Sequence, residues 1–464
     1  MLIFLKGRDL PLQKKPRMAG FGRLSTNLLI SMIFLIIILL GTMLLLLPAA
    51  SRNGTSCGWI TALFTATSAT CVTGLSLVDT YTQWSPFGQV VLACLIEIGG
   101  LGFMSIASIL ILLFRGQVGM KQQMLIAQSF GTSDMQDIVK MQKWMLKMCL
   151  VIQFAGMVLL TARFSFQYPF DMSIRLGLFH SISAFCNAGF DILGFRLPGS
   201  SVGTYATDPF VLLPLSALIV FGGLGYIVWE EAIRVRKWKK LSVYARLVLL
   251  TTLALLLSGT LLILICEYQN PKTLGSMTLP QKLLAAFFQS VTLRTAGFAG
   301  IPQESLTDAG KSVSMFLMLI GGSSGSTAGG LKTVTFVVVL LFLRSRMTGK
   351  PTVTVFHRTI PASLVINALS IYGLMVFLSV FGATVLTMTS PLSLTDALYE
   401  CVSAIATVGL SCNATSRLSL PGKLLICLYM YFGRVGVLTI ALGFLHPRTT
   451  EPRYRYADTS LLIG

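Results

Sequence analysis

Residues 62–75 read ALFTATSATCVTGL, a run of helical character that ends in a threonine and a glycine in the dip between two long apolar stretches. Three more segments follow the same plan: GLFHSISAFCNAGF at 177–190, AFFQSVTLRTAGF at 286–298 and ALYECVSAIATVGL at 397–410. Each sets an aromatic residue (Phe64, Phe179, Phe287, Tyr399) ten positions before a glycine (Gly74, Gly189, Gly297, Gly409), and these glycines recur at intervals of 115, 108 and 112 residues. A second signature follows each: IEIGGLGF at 96–103, VFGGLGY at 220–226, LIGGSSGSTAGG at 319–330 and YFGRVGVL at 431–438. A glycine pair inside one apolar helix commonly serves close packing. Packing alone does not demand the same order and nearly the same spacing four times, so the chain is an internal fourfold repeat of span, short helix, glycine loop and span.

Composition fixes the setting of that repeat. Of 464 residues 54% are hydrophobic and 11% charged, with a mean hydropathy of +0.77, which describes a polytopic membrane protein whose solvent is the lipid bilayer. Runs long enough to span lie near 26–48, 86–114, 148–167, 209–232, 243–268, 312–343, 361–388 and 421–446, eight in all. The net charge of +19 is distributed as a topology signal and not as a nucleic-acid footprint: the alternate connections 51–87, 161–213, 267–312 and 389–423 hold ten of the 36 Lys and Arg. By the positive-inside rule both termini are cytoplasmic, in a multi-pass protein of the cell membrane with no nucleic-acid partner. The first apolar run is longer than a signal-peptide core and lacks a clear cleavage site, so it reads as an uncleaved span. The nine cysteines form no CxxC pair. Buried free thiols account for them, with an outer bridge between Cys57 and Cys412 as the alternative.

The short helices have room for about ten to twelve residues, or about 15 to 18 Å, roughly half a hydrocarbon core. Each must therefore enter the membrane and return, and non-helical backbone at that depth is tolerated only where it is buried in protein or lines water. Four such re-entrant loops around a pseudo-fourfold axis would aim the negative ends of their helix dipoles at the centre, which favours a cation. Beyond each helix an extended turn can point carbonyl oxygens inward, glycine permitting backbone angles that a Cβ resists. Rings of carbonyls that replace a hydration shell form potassium-selective filters. The expected fold is an all-α polytopic membrane protein of four pseudo-symmetric M1–pore helix–M2 repeats, eight transmembrane helices plus four re-entrant pore loops around a central ion pore. Its expected parts are a basic N-terminus (1–24), repeats at 25–120, 121–242, 243–346 and 347–447, and a C-terminal tail (448–464).

The motifs TSATCVTGL, FHSISAFCNAGF, FQSVTLRTAGF, SAIATVGL, GGSSGSTAGGLKT and FGRVGVLT together make the chain similar, over about residues 25–460, to membrane subunits of the Trk/Ktr/HKT superfamily of potassium transporters, most closely the bacterial Ktr-type subunit. The resemblance implies potassium as the transported ion, with filter positions at Val72, Thr73 and Gly74; Asn187, Ala188 and Gly189; Thr295, Ala296 and Gly297; and Thr407, Val408 and Gly409. In that family a serine in place of a filter glycine goes with sodium permeation, and all four positions here are glycine. Each repeat keeps one glycine instead of a TVGYG pair, so looser selectivity than in a tetrameric channel is expected. The resemblance further implies a homodimer and a cytoplasmic nucleotide-binding ring of the RCK type. The chain itself carries no GxGxxG on a strand–helix unit, so it binds no nucleotide or other cofactor of its own.

The third repeat departs from its siblings. Gly321, Gly322, Ser323, Ser324, Gly325, Ser326, Thr327, Ala328, Gly329 and Gly330 place five glycines and three serines inside one span, where each glycine costs close to ~1 kcal/mol relative to alanine in a helix. A break at membrane depth is expected, of the sort that marks ion pathways; the resemblance makes it an intramembrane gate. A phosphate-binding loop is excluded, because in GSTAGGLKT the lysine comes one residue late and no strand precedes it.

Arg434, inside the last span, reads as a gating or flux-controlling charge, with snorkelling to the interface as the alternative. Arg294 is expected behind the filter, paired with Glu400. Glu97 has no evident partner in sequence. Asp79 and Asp191 follow their filter glycines and either concentrate cations at the outer mouth or are plain solvated carboxylates. His180, His357 and His446 lack metal-ligand spacing, and no nucleophile–base set shares a helix face, so no enzymatic reading stands. Two classes remain: a gated potassium pore, and a sodium- or proton-coupled carrier with alternating access. Same-orientation repeats favour the pore, since carriers with broken helices commonly carry inverted ones.

Overall fold

The computed structural model describes residues 26–102 and 138–436 of the chain. In the first quarter α1 (Thr26–Leu46) leads to the short α2 (Trp59–Thr70) and then α3 (Pro86–Leu101). The second repeats the order as α4 (Ile138–Phe164), α5 (Phe170–Phe185) and α6 (Pro209–Leu224), from which α7 (Tyr226–Val235) departs at 95°. The third runs α8 (Val243–Glu267), α9 (Leu279–Thr292), α10 (Asp308–Leu319), a non-helical stretch and α11 (Thr333–Met347). The fourth is α12 (Ala362–Thr389), α13 (Leu394–Ile405) and α14 (Leu420–Val435). Each long first helix packs on the short helix of its own quarter: α1 on α2, α4 on α5, α8 on α9 and α12 on α13. Residues of α1 to α6 supply most of one buried core and those of α8 to α14 most of a second.

The third helix of every quarter starts at a side-chain cap. Ser85 accepts from the Gly88 N–H, Asp208 from Phe210, Thr307 from Gly310 and Ser419 from Gly422, each satisfying a donor that the helix leaves unpaired. Proline follows in the first turn at Pro86, Pro209 and Pro421, where its missing N–H does no harm. These fixed starts set the register in which each glycine signature meets its short helix.

Among the described residues three helices are long and apolar enough to cross a membrane, within α4 (Lys143–Phe164), α8 and α12, and the bent pair α6–α7 makes a fourth if counted as one span. Their outer faces, like that of α1, are apolar and exposed: Leu39 and Leu40 on α1, Leu253, Leu257 and Leu261 on α8, Phe377 and Phe381 on α12. Helices whose backbone is satisfied internally and whose surface is hydrocarbon suit a bilayer.

Two expected spans contain a helix end, and residues 103–114 of the first lie outside the described residues. The run at 86–114 ends its helix at Leu101, and the run at 209–232 is broken at Gly225. Apolar composition is blind to both, because each break is made by one glycine. The run at 312–343 is interrupted between Leu319 and Thr333, where its glycines and serines lie. The basic segment 1–24 and the tail 448–464 lie outside the described residues.

Candidate functional site

The four short helices end alike. The first expected filter residue of each quarter is left-handed, at φ 56° for Val72, 59° for Asn187, 65° for Thr295 and 53° for Thr407; two residues on, the glycines Gly74, Gly189, Gly297 and Gly409 have φ of 98°, 70°, 82° and 96°. In α2, α5 and α13 the ending is a Schellman motif: Thr73 N–H reaches Ser68 O at 2.8 Å, Ala188 reaches Ser183 O at 2.7 Å and Val408 reaches Ser403 O at 2.8 Å. The third quarter is looser, with Gly297 N–H 3.4 Å from Thr292 O. A left-handed residue bearing a Cβ costs about 1–3 kcal/mol and persists where its surroundings over-determine it. Hydroxyls supply part of that constraint. Ser68 Oγ and Ser403 Oγ each accept from their filter glycine N–H at 3.0 Å, while Ser183 donates to Phe190 O at 2.6 Å and Thr292 to Phe298 O at 2.8 Å.

The four turns close on one another. A Cβ on Gly74 would stand 2.6 Å from Ala188 O, on Gly189 2.7 Å from Ala296 O, on Gly297 2.5 Å from Val408 O and on Gly409 2.0 Å from Thr73 O. Every glycine therefore lies against the middle filter carbonyl of the next quarter, and the fourth returns to the first. All four glycines also line one cavity of about 420 Å³, together with Leu75, Ser76, Ala299, Ser411 and Asn413. The buried hydroxyls of Thr73, Thr295 and Thr407 have no hydrogen-bond partner among the described residues.

The glycine signature that follows each short helix divides into two jobs. A Cβ on Gly99 would stand 2.1 Å from Thr70 O, on Gly222 2.0 Å from Phe185 O and on Gly433 2.2 Å from Ile405 O. The third helix of the quarter thus approaches the last turn of the short helix more closely than any other residue allows. Three positions later Gly102, Gly225 and Gly436 have φ of 78°, 87° and 97° and stop that helix. So the second repeat is interrupted too, its helix resuming at Tyr226; the residues after Gly102 and Gly436 lie outside the described residues. The shared G-x-x-G spacing was in the sequence, but composition emphasised only the glycine-rich third copy.

That third copy is an ordered loop on the side of the filter residues away from the cavity. Gly321 N–H bonds Leu331 O at 2.8 Å and Thr333 N–H bonds Gly322 O at 3.0 Å, which draws the two ends together. Ser323 and Thr327 donate their N–H groups to Gly223 O and Gly222 O, Ser323 Oγ donates to Leu224 O, and Thr327 Oγ1 donates to Phe185 O at 3.0 Å. Ser326 Oγ donates back to Ser323 O at 2.6 Å. Gly325 O accepts from Tyr226 N–H at 2.9 Å, and Ser324 O from Tyr244 Oη at 3.0 Å. A Cβ on Gly329 would meet Thr407 Oγ1 at 2.1 Å, and one on Gly330 Ala406 O at 2.8 Å; Ala328 is buried between them and Thr327. The loop therefore touches the second and fourth quarters directly. Arg434 ties it to the first, because its guanidinium donates to Thr327 O, to Gly99 O and, at 3.0 Å, to Gly100 O. Its partners are carbonyls inside the bundle and not groups at a membrane surface.

Other expected pairings change. Arg294 and Glu400 do not pair: Arg294 reaches Gly321 O at 3.4 Å, while Glu400 accepts from Ser411 Oγ at 2.7 Å and from Thr415 Oγ1. Each finds a nearer partner. Glu97 accepts from Gln153 Nε2 at 3.0 and 3.1 Å and from the Cys186 thiol at 3.3 Å, partners from another quarter that no local sequence signal announces. Cys57 and Cys412 are both free thiols; their sulfurs donate to Leu45 O and Gln303 O. Asp79 and Asp191 line the cavity. Asp79 also has a structural task, since it accepts from Thr82 and Gly199 N–H groups and so binds the first outer loop to the second.

The cation transport protein family TrkH matches residues 22–451. The chain is 39% identical over 447 residues to the potassium/sodium uptake protein NtpJ of Enterococcus hirae, covering 95% of this chain and 98% of that one. It is 35% identical over 451 residues to the Ktr system potassium uptake protein B of Bacillus subtilis, covering 97% and 99%. Among solved structures, the potassium transporter TrkH from Vibrio parahaemolyticus matches at a TM-score of 0.71 and 17% identity, over 92% of this chain and 86% of that one, which is a likeness of fold.

Proposed function

The chain belongs to the TrkH family of cation transport proteins, and we propose that it is a potassium-selective uptake pathway in which the four filter turns form one pore and the 321–330 loop with Arg434 gates it. The observation that carries this reading is the closed ring, each filter glycine set against the carbonyl of the next quarter. Buried hydroxyls of Thr73, Thr295 and Thr407 without a hydrogen-bond partner among the described residues supply further oxygen atoms in the same turns, and rings of oxygen can replace the hydration shell of an alkali cation. The names of the relatives point to potassium. On this reading the quarters are the expected repeats 25–120, 121–242, 243–346 and 347–447, with eight spans, four re-entrant loops and both termini in the cytoplasm. The name Ktr system suggests further components, and the proposed assembly is a homodimer on an RCK-type nucleotide-binding ring.

Purified protein in liposomes should pass potassium in preference to sodium, at a permeability ratio below that of a TVGYG channel. Uptake that follows a proton or sodium gradient with one fixed stoichiometry would replace the pore with a coupled carrier, a reading the sodium in the Enterococcus relative's name keeps in view.

Potassium entry should also depend on external pH. Burial pushes the Asp191 carboxyl up to about 6, with Asp79 adding to the push and the Leu193 N–H opposing it. Above that pH the mouth carries the extra negative charge and gathers cations; below it the charge is lost. Potassium uptake at subsaturating concentration should fall about two- to threefold between pH 7.5 and 5. Asp191→Asn should start low and lose the dependence, and an unchanged pH profile would remove Asp191 from the mouth.

A further inference from the structure

Three of the four quarters bring a carboxylate to the cavity that the filter glycines line: Asp79 from the first, Asp191 from the second and Glu304 from the third. The fourth brings Ser411, Asn413 and Thr415, and no carboxylate of that quarter lines the cavity among the described residues. Glu400, on α13, lies behind this wall, fully buried and outside the lining. It accepts from Ser411 Oγ at 2.7 Å and from Thr415 Oγ1, and among the described residues it has no ion-pair partner. The rest of the loop fixes the sense of the first bond. Ser411 Oγ already takes the Ala414 N–H at 3.1 Å and the Thr415 N–H at 3.4 Å. A hydroxyl has one proton and two lone pairs, so the Ser411 proton goes to Glu400. A carboxylate that accepts from both hydroxyls draws the positive end of each O–H dipole to itself and leaves the oxygen end turned away.

We propose that Glu400 is the fourth quarter's share of cation capture: a positioning residue that, through the hydroxyls of Ser411 and Thr415, keeps oxygen and not O–H turned toward an arriving cation. This rests on the reading of the site as a potassium pathway. The other three quarters draw a cation with carboxylates on the wall; the fourth draws it with oriented dipoles backed by a buried carboxylate. Ser411 follows Gly409 by two residues, so these oxygens act at the entrance and before the filter turns. Glu400 therefore sets the concentration at which uptake half-saturates and not the maximal rate.

The test is the concentration dependence of potassium uptake into liposomes holding the full chain, for native protein, Glu400→Gln, Thr415→Val, Thr415→Ser and the double variant Glu400→Gln with Thr415→Val. In Glu400→Gln the carboxamide must donate to one of the two hydroxyl oxygens. Ser411 Oγ is filled by backbone N–H groups, so the amide takes Thr415 Oγ1 and turns its proton outward. Expected is a rise of about three- to tenfold in half-saturating potassium for Glu400→Gln and for Thr415→Val, with maximal uptake within about twofold of native. Thr415→Ser restores the hydroxyl and with it the native half-saturation, and the double variant is no worse than either single one, because both act through one group. Unchanged half-saturation in Glu400→Gln overturns the inference. So does a lower maximal rate at unchanged half-saturation, which would make Glu400 a brace of the fourth filter turn, and so do effects that multiply in the double variant. Should Glu400→Gln not elute as a monodisperse species, Thr415→Val and Thr415→Ser decide alone, and equal half-saturation in the two overturns the inference. Native protein that passes no potassium down its gradient overturns the pathway itself, and the inference with it.

Discussion

Gly409→Ala is expected to cut selective potassium flux by about a hundredfold or more, the loss that corresponds to about 2.7 kcal/mol at the transport barrier. The added methyl would stand 2.0 Å from Thr73 O and 2.9 Å from Gly74 Cα, with backbone on both sides, so no side chain can swing away to make room. Its own φ of 96° adds a conformational penalty of about 1–3 kcal/mol for a residue with a Cβ. The carbonyl that must retreat is one of the four that each meet a glycine of another quarter. Substitutions around the ring should grade with closeness, most severe at Gly409 and milder at Gly297, Gly74 and Gly189, where the blocking oxygens are 2.5, 2.6 and 2.7 Å away. At Gly74, serine should admit sodium before it abolishes flux. Sodium and potassium fluxes into liposomes measure both. Native-like selectivity in Gly409→Ala would mean that the ring does not select ions.

Arg434→Ala should act in the opposite direction and raise potassium flux by about tenfold to a hundredfold in the absence of any other protein. Two effects combine. A unit charge about 5 Å from a passing cation, at an effective dielectric constant near 20, raises its energy by about 3 kcal/mol. The same guanidinium also fastens the loop, through Thr327 O, to Gly99 O and Gly100 O on α3. Arg434→Lys separates the two, because lysine keeps the charge but has no planar fork to bridge carbonyls of different segments. Its flux should fall between native and Ala. If Arg434→Ala leaves flux unchanged while deletion of 323–328 raises it, the loop closes the pathway by bulk alone.

The fourfold plan was legible because backbone geometry leaves few alternatives to glycine, and a residue so constrained marks its position at every repeat. Val72, Asn187, Thr295 and Thr407 were legible only by alignment with those glycines, since nothing in a valine announces a left-handed φ. The break at 320–332 was visible as composition; those at Gly102 and Gly225 were not, because one glycine in an apolar helix is ambiguous until its neighbour is known. Partners across quarters were the least legible. Gln153 reaches Glu97 from another helix pair, and Arg294 takes the carbonyl of Gly321 instead of the carboxylate of Glu400. Such choices depend on approach angles that only packing sets.

The return contact of Gly409 on Thr73 O has a consequence for the birth of the protein. A chain emerging from the ribosome and entering the membrane helix by helix can seat its first, second and third turns one after another. None of them encloses anything until the last quarter arrives to bear on the first. An unfinished or truncated chain therefore holds an open arc and not a ring. Enclosure and completion of the polypeptide are one event.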